Sequence, residues 1–393
     1  MRRIIAGGVA WWLIVGAARA QVGPDVIVGD IDEIVRFNGK SDPVGLAIGT
    51  WSCNIGDMPL AWEYETPRHP VIAQNMYRLK DGRFEQIGLS WLKHGYYALS
   101  ENLCFDDCQA NTHGRELGVH CADPYSGDVN GDVYELGPRT PVNASTGEFE
   151  FPYRFRYGAL KQRRLMVEKT DLDPARNPGA MYIVEGHYVT ADDAAWGNDD
   201  NNASWRRALV YNRRNRMRIL IDPRFETVRT EPAILAWAAA DPQVQVVVVD
   251  VPDDGRFYVA GTAKPAGQGR WAYEYAVFNY NSHRAAQAFE VPLPDDALLE
   301  SPGFHDVTYR SKEGEGGEGL SGQDWLAART STGVRWAAET FDQNVNANAL
   351  RWSTLYNFRF ITDRPPGEGA ATLTLFRPGS PGEVQARIVV PVQ

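Results

Sequence analysis

Short apolar segments, broken at close intervals by glycine, proline, asparagine and aspartate, run through most of this chain. The clearest example is a pair of segments, 71–79 and 83–91, separated by Lys80, Asp81 and Gly82. Because Asp-Gly readily adopts the positive φ angles of a tight turn, the pair predicts a β-hairpin. Other segments rich in β-branched and aromatic residues lie at 163–169, 180–190, 208–211 and 216–221. Many short strands joined by turn-forming loops are typical of β-sandwiches and barrels.

One segment has the features of a short helix. Thr230 supplies a capping hydroxyl, Pro232 suits the first turn, and residues 233–240 are mostly good helix formers. Asp241-Pro242 is expected to end this helix, because proline cannot continue the hydrogen-bond pattern.

After the helix the chain is β-like. Residues 243–251 include four consecutive valines, which predicts a strand buried on both faces. Further strands are predicted at 256–262, 270–280, 288–293, 351–362, 371–376 and 384–392. Such a set suffices for one immunoglobulin-like or fibronectin-like sandwich. The glycine- and glutamate-rich segment 311–322 is expected to be a flexible loop.

The predicted fold class is all-β, with two β-sandwich-like domains joined by a short helix. The expected boundaries are residues 21–229 for the N-terminal domain, 230–242 for the helical connector and 243–393 for the C-terminal sandwich. The length of 393 residues also favours two domains, since single cores stop growing at about 250–300 residues.

The first twenty residues have the features of a secretory signal peptide. Arg2 and Arg3 precede an apolar stretch, residues 4–17, and Ala18-Arg19-Ala20 matches the cleavage pattern of small residues. Cleavage is expected after Ala20, which predicts a secreted or periplasmic protein. The later sequence contains no second apolar stretch long enough for a membrane span.

Net charge argues against one class of partner. The whole chain has a formal charge of −10, and loss of Arg2, Arg3 and Arg19 leaves 37 basic against 50 acidic residues, or about −13. A surface this negative repels polyphosphates, so nucleic acid is not an expected partner.

All four cysteines fall within one stretch: Cys53, Cys104, Cys108 and Cys121. In an exported protein they predict two disulfides, with three connectivities open. The favoured pairing joins Cys104 to Cys108 and Cys53 to Cys121, because three intervening residues can close a loop and the second bond would then join the ends of the region. A zinc site is the alternative, but thiolates oxidise outside the cytoplasm.

The same stretch contains His113, Glu116 and His120, whose spacing would place them on one face of a helix. Gly114 and Gly118 oppose a helix, each by about 1 kcal/mol relative to alanine. The segment is therefore expected to be a disulfide-tethered loop with solvated histidines.

Four other residues form a candidate transition-metal site. His69 and His94 flank the 71–91 hairpin at its open end, where their chain segments are expected to meet. Glu185 and His187, two residues apart on a predicted strand, would share one face. Imidazole and carboxylate ligands suit copper or zinc. The alternative is that these histidines are separate and bonded to backbone groups.

Two oxygen-rich loops are candidate calcium sites. The first, with Asp128, Asn130 and Asp132, copies the opening of an EF-hand, but Arg139 stands where the closing glutamate would be needed. The second loop contains Asp192, Asp193, Asn198, Asp199, Asp200, Asn201 and Asn202. Either loop can equally be a solvated turn.

No motif assigns a reaction. The sequence lacks G-x-S-x-G, H-E-x-x-H, a P-loop and a dinucleotide fingerprint. Carboxylate pairs such as Glu63 with Glu65, or Asp106 with Asp107, have the chemistry of glycoside hydrolysis, but sequence does not give their separation.

Several strings resemble those of secreted, β-rich proteins of environmental bacteria that have no assigned activity. The strings are 49–56 (GTWSCNIG), 69–75 (HPVIAQN), 90–95 (SWLKHG), 123–126 (DPYS), 303–307 (GFHDV) and 348–352 (NALRW). The resemblance spans most of the mature chain and implies a secreted, two-part, β-rich protein without implying an activity.

The leading functional prediction is a secreted β-rich binding or surface-associated protein with a disulfide-stapled recognition region, stabilised by calcium, and with a polysaccharide or cell-surface ligand. The alternative is an extracellular enzyme. It would be a copper- or zinc-dependent oxidase or hydrolase, or a polysaccharide-active hydrolase that uses paired carboxylates.

Overall fold

The structure is a computed structural model that describes residues 22–37, 42–153, 160–214 and 216–393. It confirms an all-β protein built from several antiparallel sheets. The proposed signal peptide, residues 1–20, lies outside the described residues. No helix in the described ranges is long and apolar enough to cross a membrane.

The N-terminal half contains fifteen strands within its described residues. They are β1 (Val26–Asp30), β2 (Ile34–Phe37), β3 (Val44–Ile48), β4 (Thr50–Asn54), β5 (Leu60–Ala61), β6 (Val71–Lys80), β7 (Arg83–Leu89), β8 (Leu92–His94), β9 (Glu116–Leu117), β10 (Ala122–Tyr125), β11 (Leu136–Gly137), β12 (Leu165–Val167), β13 (Met181–Val189), β14 (Ala203–Arg213) and β15 (Arg216–Ile221). The short helices are α1 (Gly127–Asn130), α2 (Lys169–Leu172), α3 (Ala191–Trp196) and α4 (Leu235–Ala240), with 3₁₀ turns at Val133–Glu135, Leu160–Arg163 and Glu315–Gly317.

One large sheet organises this half. Its strand order is β15-β14-β13-β6-β7-β12-β3-β2, and β8 and β11 attach beside β6. A smaller sheet, β1-β4-β10, packs on it: Val26 and Val28 of β1 share a buried cluster with Ile72 and Val184 of the large sheet. Burial of these apolar faces is what stabilises the two layers.

The hairpin predicted from segments 71–79 and 83–91 is confirmed. Strands β6 and β7 pair in register from Lys80 opposite Arg83, and Asp81 and Gly82 have φ angles of 51° and 79°. These left-handed angles are the reason that an Asp-Gly pair stands at the turn. Strands β14 and β15 also form a hairpin, with Arg213 opposite Arg216.

The C-terminal half contains two five-stranded antiparallel sheets. Its strands are β16 (Gln245–Asp250), β17 (Arg256–Gly267), β18 (Arg270–Asn279), β19 (Ala286–Pro292), β20 (Glu300–His305), β21 (Leu326–Arg329), β22 (Gly333–Ala337), β23 (Thr354–Thr362), β24 (Pro366–Leu375) and β25 (Glu383–Pro391). The sheet orders are β16-β17-β18-β23-β20 and β21-β22-β19-β24-β25. One buried cluster takes residues from both sheets, including Tyr275, Phe289, Trp336 and Phe358, so the sheets face each other across a shared core. The immunoglobulin-like or fibronectin-like arrangement stays a prediction.

Two details of this half differ from the sequence prediction. Strand β16 lies at the edge of its sheet and is not buried on both faces: Val248 is 48% exposed, whereas Val249 is buried. Four valines therefore mark a half-buried edge strand, and composition alone does not distinguish the two. Strands β20, β21 and β22 were not predicted, because proline, glycine and alanine weaken their β signal.

The connecting helix ends where expected but begins late. Helix α4 starts at Leu235, five residues after the predicted cap Thr230, whose φ of 61° is not helical. The intervening backbone is held by other bonds: Thr230 N–H donates to Ser204 Oγ, and Ala233 N–H donates to the Glu185 carboxylate at 2.6 Å. Contacts with the N-terminal half thus replace the first helical turn.

The two halves meet over a buried apolar surface. Tyr77 and Phe84 of the large sheet share one cluster with Trp237 of α4 and with Phe278 and Leu355 of the C-terminal half. The boundary at residues 230–242 stays a prediction, although this shared cluster means that each half covers apolar residues of the other.

Candidate functional site

Two disulfides join Cys53 to Cys104 and Cys108 to Cys121, and the described residues contain no free cysteine. The prediction of two disulfides is confirmed, and the favoured pairing is wrong. Cys53 lies directly opposite Ala122 in the β4–β10 ladder. Neighbouring residues on a strand point to opposite faces, so Cys121 is directed away from Cys53 and toward Cys108. Disulfides indicate an oxidising environment.

The loop closed by Cys108 and Cys121 forms one wall of an open groove of about 700 Å³. We call it the tyrosine groove; its lining residues are Ala61, Glu63, Arg68, Tyr97, Asn111, His113, Arg115 and Glu116. Four of these eight lie between the two cysteines. Strand β5 also lines the groove, and its Ala61 pairs with Glu116 of β9, so a two-stranded ladder joins the disulfide-closed loop to β5.

Polar groups of the tyrosine groove are held by local bonds. Glu63 forms an ion pair with Arg68 at 3.0 Å, and Asn111 Nδ2 donates to Glu116 Oε2 at 2.7 Å. The groove therefore presents two carboxylates and two guanidinium groups, counting Arg115, in close balance. Its planar polar groups can bind both donors and acceptors of a ligand.

Aromatic rings cluster at the tyrosine groove. Tyr97 is 52% exposed, and its ring centroid lies 5.6 Å from that of Tyr64, which lies 5.5 Å from that of Tyr96. Lys93 Nζ lies 4.8 Å from the centre of the Tyr96 ring. An exposed aromatic ring beside polar groups can stack on the apolar face of a ligand.

The histidine pair predicted at the hairpin's open end is formed. Val71 lies opposite His94, and the His69 and His94 ring centroids are 4.8 Å apart. His69 Nδ1 lies 2.7 Å from the Pro70 carbonyl oxygen, and its Nε2 lies 2.9 Å from that of Tyr96. Both nitrogens of this ring therefore lie beside backbone carbonyl oxygens, as the alternative expects, although the two rings are in contact and not separate. Burial, and then the neighbouring His94, lower the pKa of His69 to about 3.

Glu185 and His187 belong to other surroundings. Glu185 is fully buried and accepts hydrogen bonds from Asn75 Nδ2 and Tyr77 Oη, both at 2.8 Å. The ring of His187 packs 4.4 Å from that of Tyr280. Among the described residues, no three histidine, cysteine, aspartate or glutamate side chains are arranged to hold a metal ion. The copper or zinc site stays a prediction.

The first candidate calcium loop is divided between structural roles. Asn130 is buried, and its Nδ2 donates to Ile48 O and to Thr50 Oγ1, both at 3.0 Å. Asp132 accepts from Tyr134 N–H and caps a 3₁₀ turn, while Asp128 is exposed on α1. Calcium at this loop stays a prediction.

The residues of the second candidate calcium loop also bond to separate neighbours. Asp192 accepts from Ala61 N–H at 2.8 Å, and Asp199 accepts from Asn281 Nδ2 at 2.6 Å. Asp193 is fully buried and lies beside Asn202. Its other neighbour, Asp25, was not predicted as a site residue, because a single acidic residue before a strand is common.

A further buried polar cluster was missed because the sequence indicated only a flexible loop at 311–322. Glu313 of that loop is 1% exposed and lines a cavity of about 10 Å³ with Arg139, Arg351, Arg377 and His283. Burial raises the pKa of Glu313 to about 7, against the effect of the surrounding arginines. The cavity has room for about one water-sized occupant.

No family model matches this sequence, and no curated protein shows significant similarity to it. The resemblance to secreted bacterial proteins therefore stays a prediction.

Proposed function

We propose that the protein is an extracellular binding protein and that its tyrosine groove holds a short neutral oligosaccharide. The observation that carries the proposal is the half-exposed Tyr97 ring inside a groove whose other lining residues are mostly charged or polar. The apolar face of a sugar ring stacks on an aromatic ring, while its hydroxyls exchange hydrogen bonds with planar polar groups.

Charge balance supports a neutral ligand. Glu63 and Glu116 are matched in number by Arg68 and Arg115 among the lining residues, so neither a polyanion nor a polycation gains a net attraction. A volume of about 700 Å³ lies within the usual range for small-ligand sites and suits a few sugar rings.

Rigidity supports binding as well. Trp62 N–H donates to Arg115 O, and Ala98 N–H donates to Gly114 O, both at 2.8 Å. These bonds hold the disulfide-closed loop against the residues that follow β5 and against the segment that contains Tyr97. A groove that is already formed loses little conformational entropy when it binds a ligand. Export through residues 1–20 belongs to the same proposal.

The test is isothermal titration calorimetry of the purified protein against neutral tetra- to hexasaccharides of glucose, xylose and mannose. Tyr97→Ala is expected to weaken binding by about tenfold or more, which corresponds to the loss of one stacked ring. Tyr134→Ala is the matched control, because Tyr134 is 67% exposed and does not line the groove.

Two results would contradict the proposal. One is the absence of binding to every neutral oligosaccharide. The other is an equal effect of Tyr97→Ala and Tyr134→Ala on the affinity.

A further inference from the structure

Two fully buried carboxyl groups lie together where the start of the described chain meets helix α3. Asp25 immediately precedes β1, and Asp193 lies within α3; each is 0% exposed. Burial raises the pKa of Asp193 well above its ordinary range, and the charge of Asp25 raises it further. The two carboxyls are thus close enough to repel each other in a region that excludes water.

Neutral groups compensate the charge of Asp193. Its charged form is stabilised by the Asn202 side chain and by the Val26 N–H, and no basic side chain of the described residues forms an ion pair with it. Buried carboxylates normally pair with a cation or bind a metal, because desolvation of an unpaired charge costs several kcal/mol.

Three buried oxygens around this pair accept no hydrogen bond from the described residues. They are Asp193 Oδ1, Asn201 Oδ1 and Asn202 Oδ1. The amide nitrogens of the two asparagines donate to the carboxylates: Asn201 Nδ2 lies 3.1 Å from Asp25 Oδ2, and Asn202 Nδ2 lies 2.5 Å from Asp193 Oδ2. Buried acceptors without a donor are rare in proteins, and these three belong to the carboxyl pair or to the amides that donate to it.

We propose that Asp25, Asp193, Asn201 and Asn202 together bind one Ca²⁺ ion. Carboxylate and amide oxygens are the ligands of a hard cation, and the cluster contains no histidine or cysteine that would favour copper or zinc. Ca²⁺ accepts irregular sets of six to eight oxygens, whereas Mg²⁺ demands regular octahedral geometry and keeps several waters. Full burial of both carboxyls favours the ion that dehydrates more readily.

The segment around the cluster is held in place by neighbouring bonds. Asn198 Nδ2 donates to Val22 O at 3.0 Å and to Pro24 O at 2.9 Å, so the residues before Asp25 are fixed against the 192–202 loop. An ion between Asp25 and Asp193 would complete this attachment and hold β1 to α3.

The ion would also act on the tyrosine groove, a consequence that rests on the proposed function. Asp192, next to Asp193 on α3, accepts the hydrogen bond from Ala61 N–H, and Ala61 lines the groove. Calcium at Asp193 would therefore stabilise the wall that β5 provides. Calcium binding itself is measured without any oligosaccharide, so failure of the groove proposal leaves it testable.

The experiment uses the full-length protein freed of metal with a chelator. Addition of Ca²⁺ is expected to raise Tm saturably with one site per chain, and Mg²⁺ at the same concentration is expected to have a much smaller effect. Asp193→Asn keeps the shape and removes one charge, and it is expected to weaken Ca²⁺ binding by at least about tenfold. Asp128→Asn is the matched control, since Asp128 belongs to the other oxygen-rich loop.

Terbium luminescence gives a second measurement that does not depend on a destabilised variant. The Trp196 ring packs directly against Gly23, two residues before Asp25, so Trp196 is placed to sensitise Tb³⁺ at the cluster. Wild-type protein is expected to give sensitised emission that Ca²⁺ displaces, and Trp196→Phe is expected to reduce the emission without changing the Ca²⁺-dependent rise in Tm. Should Asp193→Asn fail to fold, Asn201→Ala, at a half-buried ligand, is expected to weaken binding.

Three outcomes would overturn the proposal. The first is that Ca²⁺ has no effect on the Tm of the wild-type protein, which would mean that the two carboxyls share a proton instead. The second is that Asp193→Asn, or Asn201→Ala in its place, binds Ca²⁺ as tightly as the wild type. The third is that Asp128→Asn abolishes binding, which would assign the ion to the first loop.

Discussion

Acid is expected to destabilise this protein in part through His187. The ring is 1% exposed, packs against Tyr280, and has no hydrogen-bond partner at Nδ1 among the described residues. Burial, and then the positive charge of Arg139, lower the pKa of His187 from 6.5 to about 3. The folded state therefore resists protonation of a ring that the unfolded chain protonates readily.

The direction and magnitude of the change in the free energy of unfolding follow from the difference in proton binding between the folded and the unfolded chain. Below pH 6.5 the unfolded chain binds a proton that the folded chain does not bind, so the free energy of unfolding is fully maintained above pH 6.5 and falls as pH drops toward 3. At pH 4 the loss attributable to His187 is about 3 kcal/mol, because pH 4 lies 2.5 units below 6.5, each unit corresponds to about 1.4 kcal/mol, and protonation of some folded chains offsets a small part. His187→Leu cannot take up a proton, so this part of the acid destabilisation is expected to vanish.

Urea unfolding followed by tryptophan fluorescence at pH 7 and pH 4 measures the effect. The loss of unfolding free energy between the two pH values is expected to be about 3 kcal/mol smaller in His187→Leu than in the wild type. His113→Leu is the control, because the His113 ring is exposed, and it is expected to follow the wild type. An unchanged pH dependence in His187→Leu would refute the reasoning, since it would mean that the native ring is hydrated and titrates normally.

Two further predictions concern crosslinks and a buried acid. Replacing Cys53 and Cys104 by alanine opens a 51-residue loop and is expected to lower the free energy of unfolding by about 4 kcal/mol. Replacing Cys108 and Cys121 opens a 13-residue loop and is expected to lower it by about 3 kcal/mol. Chemical denaturation measures both losses, and a larger loss for the 13-residue loop would contradict the loop-entropy argument. Burial raises the pKa of Glu313 to about 7, so the folded state holds a proton that the unfolded chain releases near pH 4.5. The free energy of unfolding is therefore expected to fall by about 3 kcal/mol as pH rises from 4.5 to above 7. Glu313→Gln should remove this decline in urea titrations at pH 5 and pH 8, and a decline equal to that of the wild type would exclude Glu313 as its source.

Local signals predicted most of the longer strands, because hairpin turns are encoded by adjacent residues, whereas short strands such as β5 and β9 were not predicted. Asp81-Gly82 specifies its turn through two positive φ angles, and the helix stop at Asp241 follows from the next proline. Relations between distant segments were not predictable in the same way. The partner of Cys121 depends on the register of β4 against β10, which places Ala122 opposite Cys53, and no local pattern encodes that register.

The candidate site also combines features that local sequence predicts with features that depend on contacts between distant segments. Concentration of cysteines pointed to the region that forms the tyrosine groove, and the spacing of His69 and His94 around a hairpin predicted that their rings meet. The groove itself depends on the pairing of β5 with β9, and the burial of Glu313 depends on contacts between the two halves. Neither can be read from composition, since an exposed glutamate and a buried one look identical in sequence.

The choice between binding and catalysis depends on where proton-holding acids lie. Hydrolysis of a glycosidic bond needs a carboxyl that keeps its proton near neutral pH, usually because its pKa is raised by burial. Burial raises the pKa of Asp123 to about 6 and that of Glu313 to about 7, and it raises that of Asp193 as well. None of the three lines the tyrosine groove, where Glu63 is paired with Arg68. These three acids, whose pKa is raised by burial, are thus separated from the tyrosine groove, and the proposal of recognition in preference to hydrolysis at that groove rests on this separation.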